Sequence, residues 1–192
     1  MIELKHDIRM LQKLRQQFDQ KDVNQALIWA LDAVTRKAAT AISRDLRGTY
    51  AVSAAQVKQH LRIQRVERDA SRALLYTGKK LPLAQFAPRQ KVVRVQATSS
   101  RGKPFSTKRR GVTLRVRKDA GRKLVKGGWQ AKGHILRRED AADNQSQPRI
   151  QYGPSIPGMV AHPSTIDAAQ ELVRRELPAE FSNRLEYILG KK

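Results

Sequence analysis

Cysteine is absent from the 192 residues, which excludes disulfides and thiolate-held metal and fits a reducing compartment. Aromatic residues make up only 5%, so a core has to be assembled from Leu, Val, Ile and Ala. No stretch approaches the roughly 20 consecutive apolar residues that a membrane-crossing helix requires. The opening Met1-Ile2-Glu3-Leu4-Lys5-His6-Asp7 lacks the apolar centre of a signal peptide. Synthesis in the cytoplasm with no membrane partner is therefore the expectation. Acids are scarce as well: 17 Asp and Glu stand against 39 Lys and Arg, a net charge of +22.

What remains is enough to fold. Hydrophobic residues reach 40%, too many for a disordered basic tail, and the length favours one domain spanning 1–192. The charge is uneven. From Arg89 to Arg138 there are 17 Lys and Arg and one acid, Asp119, a net +16 over 50 residues. Excess of this size calls for a polyanion: nucleic acid first, an acidic protein surface second, anionic lipid third.

Periodicity divides the chain into three parts. Residues 1–62 read as helical, with Leu4, Ile8, Leu11, Leu14 and Phe18 close to one stripe. Asp22 is placed to cap a second helix, whose apolar face runs through Leu27, Leu31, Val34, Ala38, Ala41 and Ile42. Ser53-Ala54-Ala55-Gln56 has the form of a capping box opening a short helix to about Leu61. In 63–152 the period falls to two. Val93, Val95 and Ala97 alternate with Arg94 and Gln96, and Val112, Leu114 and Val116 with Thr113, Arg115 and Arg117. Trp129, Ala131, Gly133 and Ile135 alternate in the same way, and 74–77 and 150–152 are shorter candidates. Ser99 to Gly111 reads as a long, mobile, basic inter-strand loop, and Asp140 to Pro148 as a polar one. From 164 to 189 the helical period returns, capped by Ser164, with Pro178 ending one helix or opening the next. The expected class is α+β: an antiparallel sheet flanked by N-terminal helices and a C-terminal helix.

Chemistry-bearing constellations are missing. His6, His60, His134 and His162 do not pair at metal-ligand spacing. Glu139-Asp140 follows Arg137-Arg138, and a local ion-pair network explains it as well as a metal does. No serine sits in a nucleophile elbow. Gly127-Gly128 lacks the Lys-Ser/Thr of a phosphate loop and reads as a turn. No catalytic, cofactor or metal residues are expected. Residues 44–61 superficially form a helix-turn-helix that would offer Gln56, Lys58 and Gln59 to a major groove. This is the alternative reading, a sequence-specific or nucleoid-type DNA-binding protein, although a hairpin bracing the sheet explains the same residues.

Three segments together resemble the minor tail protein Z family of long-tailed phages. They are the Ala-rich helix from Ala26 to Arg47 with its continuation Ser53–Leu61, the run Gly127 to Arg138, and Pro148 to Pro157 with Val173-Arg174-Arg175-Glu176-Leu177-Pro178. Trp129 stands where the family more often has Phe. The resemblance implies a structural virion protein that completes the head-proximal end of the tail. It also implies a ring, commonly a hexamer, stacked between tail terminator and head–tail connector proteins on the path of the genomic DNA. Non-specific phosphate contact by Lys and Arg would suit that place. The residues expected to touch DNA or an acidic partner are Arg94, Arg115 and Arg117 on the strands, with Arg101, Lys103, Lys108, Arg109 and Arg110 in the loop.

Overall fold

The computed structural model describes residues 2–3, 19–66, 71–99, 101–140, 143 and 145–190. It contains two compact units, one of Met1–Leu46, Ala54–Gly78 and Ile156–Lys192, the other of Arg47–Ser53 and Lys79–Ser155. Helices and antiparallel strands make it an α+β protein, as expected.

The first unit is organised by two long helices. Helix α1 (Gln20–Thr49) starts two residues earlier than Asp22 predicts, because the Asp19 carboxylate accepts the Lys21 amide at 3.1 Å. Its buried face repeats every three or four residues through Val23, Leu27, Leu31, Val34, Ala38, Ile42 and Leu46. Helix α4 (Pro163–Leu189) runs against it. The Thr165 hydroxyl donates to Asp45 at 2.6 Å, Lys37 bridges Glu176 and Glu180 at 3.0 and 2.7 Å, and Phe181 and Leu185 bury among Val23, Leu27 and Leu31. As one helix number falls the other rises, so the pair is antiparallel. Pro178 neither stops nor starts a helix; it lies exposed inside α4. An interior proline costs about 3 kcal/mol. Burial of Phe181 and Leu185 just beyond it is worth about 2 kcal/mol each, so packing holds the helix continuous.

After α1 come α2 (Ala54–Gln59) and two strands, Leu61–Val66 (β2) and Ser71–Tyr76 (β3), which with Ile2–Glu3 (β1), ahead of α1, form a small sheet in the order β1-β3-β2. Two expectations change here. Ile2–Glu3 pairs with Leu74 and Ala73 as a strand, and α2 stops at Gln59 because a strand follows at Leu61. The switch is pinned by Thr77, whose amide donates to the His60 carbonyl at 2.9 Å and whose carbonyl lies 2.7 Å from His60 Nδ1. The predicted stripe Leu4, Ile8, Leu11, Leu14 and Phe18 lies outside the described residues. Arg72, almost fully buried on β3, is neutralised by Asp32 of α1 at 2.6 Å, with Arg65 also in range at 3.6 Å. After the short helix α3 (Ile156–Val160), whose Ile156, Met159 and Val160 are buried, the chain enters α4.

The second unit holds two antiparallel three-stranded sheets. One is β4 (Arg89–Thr98), β5 (Pro104–Leu114) and β6 (Lys123–Val125), and the other is β7 (Gly128–Ala131), β8 (His134–Arg138) and β9 (Pro148–Ile150). Their core is Val112, Leu114 and Ile135, covered by Leu83, Ala84, Val116 and Val125. The alternation from Trp129 to Ile135 is a hairpin and not one strand. Lys132 and Gly133 both take positive φ, 49° and 76°, the requirement of a tight turn matched to strand twist.

Removing one partner of a buried ion pair strands the other charge, at a cost of about 3 kcal/mol. Asp32→Ala should therefore lower unfolding stability by about that amount in urea titrations. The Lys37 cluster is exposed and acts on pH dependence. Hydrogen bonding to Lys37 holds the Glu176 carboxyl below its ordinary 4.5. Its contribution is thus present above that value and fades as pH falls through the lowered one. Lys37→Met should flatten the acid limb of stability against pH, read from urea midpoints.

Candidate polyanion interface

Strands β4 and β5 share ten facing pairs, from Arg89–Thr113 to Thr98–Pro104. Strand β6 covers only Val112, Thr113 and Leu114. From Val92–Arg110 outward, seven pairs continue as a ribbon with no third strand among the described residues. At strand rise this is about 20 Å of free hairpin. The expected loop 99–111 is corrected accordingly. Pro104 to Gly111 is strand, and the true turn is Ser99 to Lys103, closed by Gly102 N donating to the Ser99 carbonyl and Ser99 N to the Lys103 carbonyl, both 2.9 Å. Gly102 supplies the left-handed φ of 76°. Gly, Ser and Pro signalled a turn correctly, but the backbone of 104–111 finds its hydrogen bonds on β4.

Facing residues of an antiparallel pair project to the same side. Arg94 stands opposite Lys108, and Arg110, one step further down the same side, stands opposite Val92. Lys91 and Arg109 belong to the other side, with Val93, Val95 and Phe105. Neither side of the ribbon is covered: Val92, at its base on one side, is 61% exposed, and Phe105, near the tip on the other, 48%. From Arg89 to Leu114 there are eight Lys and Arg and no acid. None of the eight has a carboxylate partner among the described residues. At the root, Val93, Val95, Arg109, Leu124 and Trp129 help line a groove of about 770 Å3. The Arg138 guanidinium sits 5.8 Å from the Trp129 ring centre, a cation–π distance.

Of the eight predicted contact residues, the structure brings six onto the ribbon or its tip: Arg94, Arg101, Lys103, Lys108, Arg109 and Arg110. Arg115 and Arg117 lie past the end of β5 and are engaged there. Arg115 donates to the Lys118 carbonyl. Arg117 pairs with Asp119 at 2.7 Å and lies 5.9 Å from the Tyr50 ring centre. Hydrogen bonding to Arg117 holds the Asp119 carboxyl below its ordinary range. This segment stitches down residues 49–51: Lys118 N donates to the Thr49 carbonyl and Ala51 N to the Val116 carbonyl. The Lys118 amine also donates to the Arg47 carbonyl, at the C-terminal end of α1 where a cation is favoured. Arg89 and Lys91 were missed as cations at the root of the same strand pair, although their alternation with Gln90 and Val92 was there to be read.

The helix-turn-helix reading finds little support. Gly48 lies inside α1, α2 has six residues, and residues 49–51 bond to the 116–118 segment. Glu139 pairs with Arg149 at 2.8 Å, as a local network would. Lys126-Gly127 is the turn entering β7. Among the described residues no group of three or more His, Asp or Glu is arranged to hold a metal, and no helix is long and apolar enough to cross a membrane. His60 bonds to Thr77 and His162 to Ser164; His6 lies outside the described residues.

Compared with known proteins, residues 3–191 match a family model described as prophage minor tail protein Z. No curated protein and no solved structure matches the chain.

Like charges facing each other across a strand pair cost a few tenths of a kcal/mol. Lys108→Thr, which removes the charge opposite Arg94, should raise stability by about 0.5 kcal/mol at low salt. The gain should vanish near 1 M salt, where screening is within about 3 Å. Urea unfolding at the two salt concentrations measures both.

Proposed function

Since the chain belongs to the prophage minor tail protein Z family, whose members are structural proteins of phage tails, we propose that it completes the head-proximal end of a tail as a ring in the neck. In this reading the two units work as one tail-completion domain, and copies associate head to tail around the tail axis, six being the expected number. The ring joins the tail terminator on one side and the head–tail connector on the other, and its ribbon reaches toward the DNA path. The single observation that carries the reading is a family match over nearly the whole chain, in a protein whose cationic ribbon has no acidic partner among the described residues. A closed ring needs two different complementary patches on each copy. The charge is divided in a way that suits this: the second unit holds 21 Lys and Arg against 4 acids, the first 18 against 13.

The mass of the purified protein in moderate salt, alone and with a tail terminator, tests the proposal. A closed ring, alone or formed on the terminator, is the expected result. A monomer or dimer that ignores the terminator and binds one DNA sequence tightly would overturn it in favour of a regulator.

A further inference from the structure

We propose that the β4–β5 ribbon seats in the major groove of duplex DNA, its two strands acting as cationic rails against the two phosphate walls; this rests on the reading of the protein as a tail component beside the DNA path. Strand β4 carries Arg89, Lys91 and Arg94, and β5 carries Lys108, Arg109 and Arg110. Arg101 and Lys103 occupy the tip. Docking on a flat acidic protein face would need cations on one side of the ribbon. Here the register sends Arg94, Lys108 and Arg110 to one side and Lys91 and Arg109 to the other, and each rail holds three. Cations spread around a ribbon suit an anion that surrounds it, and a groove walled by phosphates does so.

The dimensions select the groove. Paired strands lie about 4.8 Å apart, and side chains widen the ribbon to roughly 10 Å. The major groove is about 12 Å wide and admits a two-stranded ribbon, whereas the minor groove is about 6 Å wide. A free hairpin of about 20 Å spans about six base pairs. Toward the tip the two strands also carry Gln96, Thr98 and Ser106 on one side and Thr107 on the other. Ser and Thr accept either hydrogen-bonding sense at a base edge and discriminate weakly, and of the four only Gln96 favours one base, adenine, so affinity comes mainly from phosphates and depends little on sequence. A protein beside a genome that must pass it in full has no use for base selectivity.

The test titrates salt against binding of the full-length protein to a mixed-sequence duplex of about 20 base pairs, a length that holds the six or so pairs the ribbon spans. The six cations of the free ribbon and its tip predict a log–log slope near −5, at about 0.9 per phosphate. The triple variant Arg94→Gln/Lys108→Gln/Arg110→Gln should flatten that slope by nearly 3. Lys58→Gln/Lys79→Gln/Lys80→Gln, which removes the same charge at exposed positions off the ribbon, should leave it unchanged. Methyl green, a major-groove ligand, should displace the protein, and distamycin, which fills the minor groove, should not. Urea midpoints verify that both triple variants fold, and Lys108→Thr alone supplies a milder step if one does not. Equal flattening in both triple variants, tighter binding to polyglutamate than to duplex, or displacement by distamycin alone would overturn the proposal. Mass measured in the same buffer separates the two readings. Assembly without duplex binding sinks the ribbon and leaves the tail role standing, while duplex binding by a chain that never assembles does the reverse.

Discussion

Strand β5 is held by the core at one end only. Val112 and Leu114 bury against Ile135, and two residues further toward the tip the third strand has already ended. An isolated two-stranded hairpin is marginal in water, so the order of the ribbon depends on this root. The parts around it serve the same burial. The β7–β8 hairpin brings in Ile135, and the turn at Leu83–Gln85 lays Leu83 and Ala84 over the cluster. The bridge between Pro82 and Tyr152 and the bond from Leu83 N to the Gln151 carbonyl hold that turn against β9. Without the root, eight cations on one hairpin would have no reason to stay together.

The two units treat charge differently. In the first, acids are spent internally: Asp32 on Arg72, Glu176 and Glu180 on Lys37, Asp45 on Thr165. In the second, the described acid pairs are Asp119 with Arg117 and Glu139 with Arg149, both away from the ribbon. The ribbon thus keeps its repulsion, including a cation directly opposite a cation, where a neutral residue would be better tolerated. A feature that costs the folded protein stability and contributes nothing to its core is most simply understood as serving a partner.

Much of the fold was legible. The α1 face through Leu27, Leu31, Val34, Ala38 and Ile42 is a three- and four-residue repeat, and nothing in the tertiary structure contradicts it. Val112 and Leu114 announced a half-buried strand and are one. Val93 and Val95 carried the same pattern, yet Val93 is half-buried and Val95 exposed, because the side they face is covered only near the root. Pro178 read as a boundary, and the packing of Phe181 and Leu185 against α1 overrode it. Arg115 and Arg117 looked equivalent to Arg94; whether a cation is free or engaged depends on Asp119, on Tyr50 and on the Lys118 carbonyl that Arg115 meets once the strand has ended.

By itself the sequence determined the sign and location of the charge, the helical and strand periods, the lack of metal-ligand spacing among its histidines, and a resemblance that the family match bears out. Those properties are local, readable within a window of ten or twenty residues. Only the tertiary structure decided that residues 104 to 111 form a strand, that Arg94 faces Lys108 while Arg109 turns away, and that six of the eight expected cations gather on one ribbon. Register and coverage belong to pairs of segments, and a strand learns which of its sides is buried only from the strand and the core it meets.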